Sequence, residues 1–164
     1  MFQVGDYVIY GYEGVCRIVS IGHPKISALN PQKEYYCMEP VGRGGTIYAP
    51  FDTKTAMRPP ESADTVSKIL STVPDAPSLP DDTLHAGEFY RSILREQNFL
   101  RCFGLYFALS RRKQTLNGLK KTLNTTDQRY FKQTEACLCS EIGFALRLSP
   151  ADSLQRLQSS CMVT

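Results

Sequence analysis

The hydrophobic pattern of this chain is strand-like as far as about Pro60 and helical throughout the part beyond the proline-rich stretch from Pro74 to Pro80. A chain whose apolar residues obey two periods must build two kinds of layer, one of strands and one of helices. Before the change, short runs rich in Val, Ile, Tyr and Thr are separated by Gly, Pro and Asn. They predict strands near Tyr7 to Tyr10, Val15 to Ile21, Tyr35 to Met38 and Thr46 to Ala49, with a short one before Arg58. So many short strands within residues 1–60 predict a small five-stranded β-barrel, since a flat sheet of this size leaves its edges unpaired. The Gly11-Tyr12-Glu13-Gly14 tract supplies the turn between the first two strands, and Gly42-Arg43-Gly44-Gly45 supplies a tight hairpin. The second tract does not read as a phosphate-cradling loop, because no Gly-Lys-Ser/Thr ending follows and a strand comes next.

Residues 62–73 place Val66, Ile69, Leu70 and Val73 on one helical face, with Ser62 as the cap. This helix is expected to dock on the barrel, which makes residues 1–73 the first domain. Pro74, Pro77 and Pro80, mixed with Asp75, Asp81 and Asp82, predict an exposed linker over 74–83. The helical domain then occupies 84–164, and the fold class is α+β. Its first helix is expected from about Leu84 to Gln97, with Phe89, Ile93 and Leu94 facing the core. A second, from about Phe99 to Lys113, is apolar nearly all round and must be mostly buried. A third opens at Asn124 to Gln128, where Thr125 and Gln128 resemble a capping box, and carries the stripe Phe131, Thr134, Leu138, Ile142, Ala145 and Leu148. The tract also spells an N-glycosylation acceptor, a reading that a chain without a secretion signal does not favour. Ser149-Pro150 starts a short last helix.

No run approaches the roughly 18 to 20 apolar residues of a membrane span, and the opening lacks a basic start followed by an apolar stretch. The expected protein is soluble, cytoplasmic and not membrane-bound. The six cysteines, at 16, 37, 102, 137, 139 and 161, form no Cys-x-x-Cys and read as reduced thiols. Neither His23 nor His85 sits at a ligand spacing, so no metal is expected. With no nucleophile elbow, zinc-hydrolase helix motif or dinucleotide fingerprint, the residues predict a binding protein and not an enzyme, without cofactor or small-molecule substrate.

The net charge of +3 hides an asymmetry. Residues 1–84 hold 7 Lys/Arg against 10 Asp/Glu, a net −3, while residues 85–164 hold 12 against 6, a net +6. The two halves therefore suit different partners. In the basic half Arg91, Arg95, Arg101, the triplet Arg111-Arg112-Lys113, Lys120, Lys121, Arg129 and Lys132 are the residue types that phosphate contacts require. The same cations also serve as a solvated face, and the triplet suits the negative end of a helix dipole.

The opening MFQVGDYVIYGYEGVCRIVSI, through Phe2, Val4, Gly5, Asp6, Val8, Tyr10 and Gly14, resembles the signature of the CarD-like family and of the polymerase-interaction module of transcription-repair coupling factors. The resemblance continues in KEYYCMEP at 33–40 and in TIYAPFDTKTAMRPP at 46–60, where Pro50, Asp52, Arg58 and Pro59 fit. It is looser over 88–148. It implies a Tudor or SH3-like barrel that adds an edge strand to the β subunit of bacterial RNA polymerase, and a helical domain that touches promoter DNA at the upstream edge of the bubble. On that reading Arg43, Thr46, Ile47 and Tyr48 form the polymerase face. His85, Arg91, Arg95, Arg111, Arg112, Lys113, Lys120, Lys121, Arg129 and Lys132 form the DNA face. The implied function is a transcription regulator that modulates open-complex stability; the alternative is a protein-interaction adaptor whose helical half binds another protein or dimerises. Several CarD proteins wedge a Trp into the minor groove from the start of the first long helix of that domain, and this chain has no Trp. The matching position falls near His85 or Ala86, with Phe89 and Tyr90 as substitutes unless they serve the core. Gly11 stands where the family has Pro, and the loop from Thr115 to Thr122 is longer.

Overall fold

The computed structural model describes residues 1–162; Val163 and Thr164, the end of the expected helical domain, lie outside the described residues. The chain divides into two compact units, Met1–Pro60 and a second that begins at Glu61.

The first unit is one antiparallel sheet of β1 (Tyr7–Tyr10), β2 (Val15–Gly22), β3 (Tyr35–Pro40), β4 (Ile47–Pro50) and β5 (Met57–Arg58), in the order β4-β3-β2-β1-β5. A 3₁₀ turn over Gly11–Glu13 joins β1 to β2. Side chains alternate along each strand, so Val8, Cys16, Ile18, Tyr36, Met38 and Ala49 gather on one face as the core of this unit. Phe51 stacks on Tyr36 with ring centroids 4.4 Å apart. The β3–β4 connection turns at Gly42 (φ +83°) and Gly45 (φ +107°), conformations that L side chains rarely adopt. All five expected strands are present, but the expected barrel is an open sheet, with β4 and β5 as its two edges. Closure would require a ladder between them. β5 has two residues, and β4 ends on Pro50, which lacks an N–H.

The second unit is helical: α1 (Ala63–Leu70), α2 (Thr83–Arg95), α3 (Phe99–Gly118), α4 (Thr125–Leu146) and α5 (Pro150–Cys161). Each helix opens on a side-chain cap, where Ser62, Asp82, Asn98, Asn124 and Ser149 accept from the amides of Thr65, Leu84, Arg101, Asp127 and Asp152. Such caps satisfy one of the orphan donors of each first turn. The cap of α4 is Asn124 and not Thr125, and Gln128 donates instead to the Leu123 carbonyl at 2.8 Å. As its composition demands, α3 is buried through Phe103, Leu105, Tyr106 and Leu109. It runs past Lys113 to Gly118, because nothing from Gln114 to Asn117 breaks a helix.

Two boundaries differ from expectation. Helix α1 joins the helical core through Val66 and Leu70 rather than the sheet, and Val73 stands exposed beyond its end. The 74–83 segment is not a free linker. Pro74 is buried, Leu79 packs on the helical core, and the segment crosses α3 so closely that a Cβ on Gly104 would lie 2.8 Å from the Asp75 carbonyl oxygen. A glycine inside a buried helix, which costs roughly 1 kcal/mol in propensity, is explained by that approach. Gly104→Ala is accordingly expected to lower stability by about 1–3 kcal/mol despite the better helix former, the range for overpacking. Gly118→Ala, with nothing within 4 Å of its Cβ, leaves the thermal midpoint nearly unchanged.

Candidate functional site

Two surfaces carry the chemistry, one in each unit. The first is the outer edge of β4. Its inner edge pairs with β3 in the register Met38↔Ile47, Cys37↔Tyr48, Tyr36↔Ala49 and Tyr35↔Pro50, and the next amide, Phe51 N, donates to the Glu34 carbonyl at 3.0 Å. Amides of an antiparallel strand point alternately to its two sides. Counting back from Phe51, the groups of Ala49 and Ile47 serve β3, whereas those of Tyr48 face the open edge. Pro50 falls on the outward side as well, where its missing N–H costs the sheet nothing.

Among the residues expected on this face, Thr46 is exposed and Tyr48 half-buried. Ile47 turns inward and packs against the sheet core, as its neighbour's opposite facing requires. The Arg43 guanidinium is paired with the Glu13 carboxylate and also donates to the Glu13 carbonyl at 3.2 Å, which ties the β3–β4 hairpin to the β1–β2 turn. Lys33 and Asp52 pair at 3.0 Å, and the lysine holds the Asp52 carboxyl below its ordinary range.

The second surface is the cationic exterior of the helical unit. Arg91 on α2 reaches Glu88 at 3.0 Å and the Tyr130 hydroxyl at 3.5 Å, while Arg129 lies 5.4 Å from the same Tyr130 ring. The Arg111 guanidinium lies 5.4 Å from the Phe107 ring centre and the Lys113 ammonium 5.1 Å from that of Phe131, cation–π contacts made by residues that remain exposed. Arg95, Lys120, Lys121 and Lys132 are exposed and have no carboxylate at salt-bridge distance among the described residues.

Arg112 does not belong with them. Its side chain is 22 % exposed against an Asp127 side chain at 2 %, with Nη1 2.9 Å from the carboxylate. The remaining donors reach the carbonyls of Pro80 (3.2 Å) and Leu79 (3.3 Å) and the Asp81 carboxylate (3.5 Å). Asp127 also accepts from the Tyr90 hydroxyl at 2.6 Å and from the Asn124 amide group. Burial and this carboxylate hold Tyr90 protonated, well above its ordinary range. Arg112 is thus a clamp joining α3, α4 and the 79–81 segment.

The start of α2 carries no aromatic wedge. Ala86 is 2 % exposed, Tyr90 is buried in the Asp127 network, and Phe89 packs against the core. His85 is exposed but its Nδ1 lies 2.6 Å from Asp82. The Leu84 amide and the His85 ring hold the Asp82 carboxyl below its ordinary range, so this end of the helix stays anionic at neutral pH. The apolar side chain that does stand out there is Leu84.

Burial pushes the thiols of Cys16 and Cys161 up to about 11 and that of Cys139 up to about 12, which leaves them protonated and poor nucleophiles. Among the described residues no group of three His, Cys, Asp or Glu side chains is placed to hold a metal, and no helix is long and apolar enough to cross a membrane.

Residues 2–60, which span the sheet unit, match the model of the CarD-like/TRCF RID domain. No curated protein matches the chain. The match to that domain implies an RNA-polymerase-interacting, transcription-related role for the sheet unit.

Proposed function

We propose that the chain is a bacterial, cytoplasmic transcription regulator, not an enzyme, that adds its β4 edge to a strand of the polymerase β subunit while its helical unit contacts promoter DNA. The observation that carries this reading is the open β4 edge inside the RID domain. Edge addition supplies affinity through main-chain hydrogen bonds and asks little of side chains. The charge asymmetry supports the second half: the acidic half suits protein contact and the +6 half suits phosphates. Arg91, Arg95, Arg111, Lys113, Lys120, Lys121, Arg129 and Lys132 are the phosphate donors. A factor held by polymerase and DNA together shifts open-complex stability to the extent that it binds that state better than the closed one.

Salt dependence separates this reading from the adaptor alternative, in which the helical half binds another protein. Binding of the full chain to a promoter duplex should weaken steeply with salt, with a slope of log K against log salt of about −3 to −5 if four or five phosphates are neutralised, at roughly −0.9 each. A slope near zero, or no DNA binding with intact polymerase binding, favours the adaptor.

A further inference from the structure

One end of the sheet gathers three turns. The 3₁₀ turn between β1 and β2 lies in the middle, with the β3–β4 connection on one side and the turn before β5 on the other. The middle turn is firmly held. The Tyr10 amide donates to the Gly14 carbonyl at 3.1 Å and the Gly11 amide to that of Ala56 at 3.5 Å, while a Cβ on Gly11 would lie 3.0 Å from the Thr55 methyl group.

The β3–β4 connection has no such packing. Its ladder stops at Met38↔Ile47, although β3 continues along β2 as far as Cys16↔Pro40. Residues 41–46 are all exposed, and a Cβ on Gly42, Gly44 or Gly45 would meet nothing within 4 Å. A glycine-rich segment of this kind is costly to order. It nevertheless leads straight into β4, where Tyr48 turns its amide to the open edge. The Val41 amide fastens its near end to the Val15 carbonyl at 2.9 Å, and the Arg43 guanidinium fastens its far end to the carboxylate and carbonyl of Glu13.

Folding stability does not account for this pair. The Arg43 and Glu13 side chains are 55 % and 42 % exposed, and ion pairs so open to water add little to it. What the pair does is local: it ties a free-standing hairpin to a fixed turn.

We propose that Glu13 and Arg43 are positioning residues for polymerase binding, a latch that holds the entry to β4 in the line a partner strand must meet. This rests on the edge addition argued above. Arg43 then works through the hairpin and not by touching the partner, as its place on the expected polymerase face had implied. A hairpin ordered in advance lowers the cost of association without any new contact.

The test measures the affinity of the full chain for bacterial RNA polymerase core in the wild type, Glu13→Arg, Arg43→Glu and the double variant with both changes. Each single change sets like charges against each other, and each should weaken binding roughly three- to tenfold, as for a segment that must be ordered on association. The two singles shift net charge in opposite directions, so long-range attraction to the polymerase would not weaken both. The double variant restores an opposite-charge pair at the original net charge and should recover most of the loss, with thermal midpoints alike in all four proteins. In the free protein, the Ile47 amide at the last rung of the ladder should exchange hydrogen several-fold faster in each single variant and return to the wild-type rate in the double. If Arg43→Glu alone loses affinity and the double variant stays as weak, Arg43 touches the polymerase directly and the latch is overturned. Unchanged affinity in both singles overturns it too, and leaves edge addition standing. A wild type that binds no polymerase removes edge addition and this role together.

Discussion

Arg112→Met is expected to destabilise the helical unit by about 3–5 kcal/mol, the cost of breaking a buried ion pair by removing one partner. The substitution leaves the nearly inaccessible Asp127 carboxylate facing Tyr90 and Asn124 without its cation. It also releases the Leu79 and Pro80 carbonyls from α3. Against a total stability of roughly 5–15 kcal/mol, that is enough to leave much of the unit unfolded at moderate denaturant. Adding Asp127→Asn to Arg112→Met should recover part of the loss, because the stranded charge is then gone. Arg111→Met and Lys113→Met, at exposed positions, should stay within about 0.5 kcal/mol. Urea unfolding followed by helical circular dichroism distinguishes these cases, and an Arg112→Met midpoint equal to that of Arg111→Met would contradict the clamp.

That contrast also shows what the sequence held and what it hid. Arg111-Arg112-Lys113 reads as one cationic group, yet neighbours on a helix point about 100° apart. Arg112 continues the buried stripe of Leu105, Ala108 and Leu109 at three- and four-residue steps, a visible sign that it faces inward. Which carboxylate would meet it was not readable, because Asp127 comes from another helix. Helix α1 shows the same limit: its amphipathic stripe was plain, but an apolar stripe carries no address, and Val66 and Leu70 joined the helical core instead of the sheet. The prolines of 74–80 correctly exclude regular structure, and Gly104 within a buried helix was the signal that this segment would cross it closely. Strand positions were legible from alternation and glycine tracts. Whether the sheet closes was not, since that depends on how long its last strand can pair.

The largest functional effect is expected at Tyr48. Because its amide faces the open edge of β4, Tyr48→Pro removes an outward donor while sparing the bonds that Ile47 and Ala49 make to β3. Proline tolerates an edge strand and pushes the preceding residue toward the extended conformation it already has. A partner strand laid along β4 would lose a hydrogen bond and meet the proline ring, leaving an unpaired acceptor in the interface. The expected loss is about 1–3 kcal/mol from the unmade bond alone, roughly 5- to 150-fold in affinity, with steric exclusion added. Tyr48→Val, which keeps the amide, should bind much more nearly as the wild type.

The most direct measurement is therefore the affinity of the full chain for bacterial RNA polymerase core, compared among the wild type, Tyr48→Val and Tyr48→Pro, with unfolding midpoints measured alongside. Edge addition predicts tight binding by the wild type, a modest loss for Tyr48→Val, and near-complete loss for a Tyr48→Pro protein that remains folded. A folded Tyr48→Pro variant that binds polymerase as well as Tyr48→Val would contradict it.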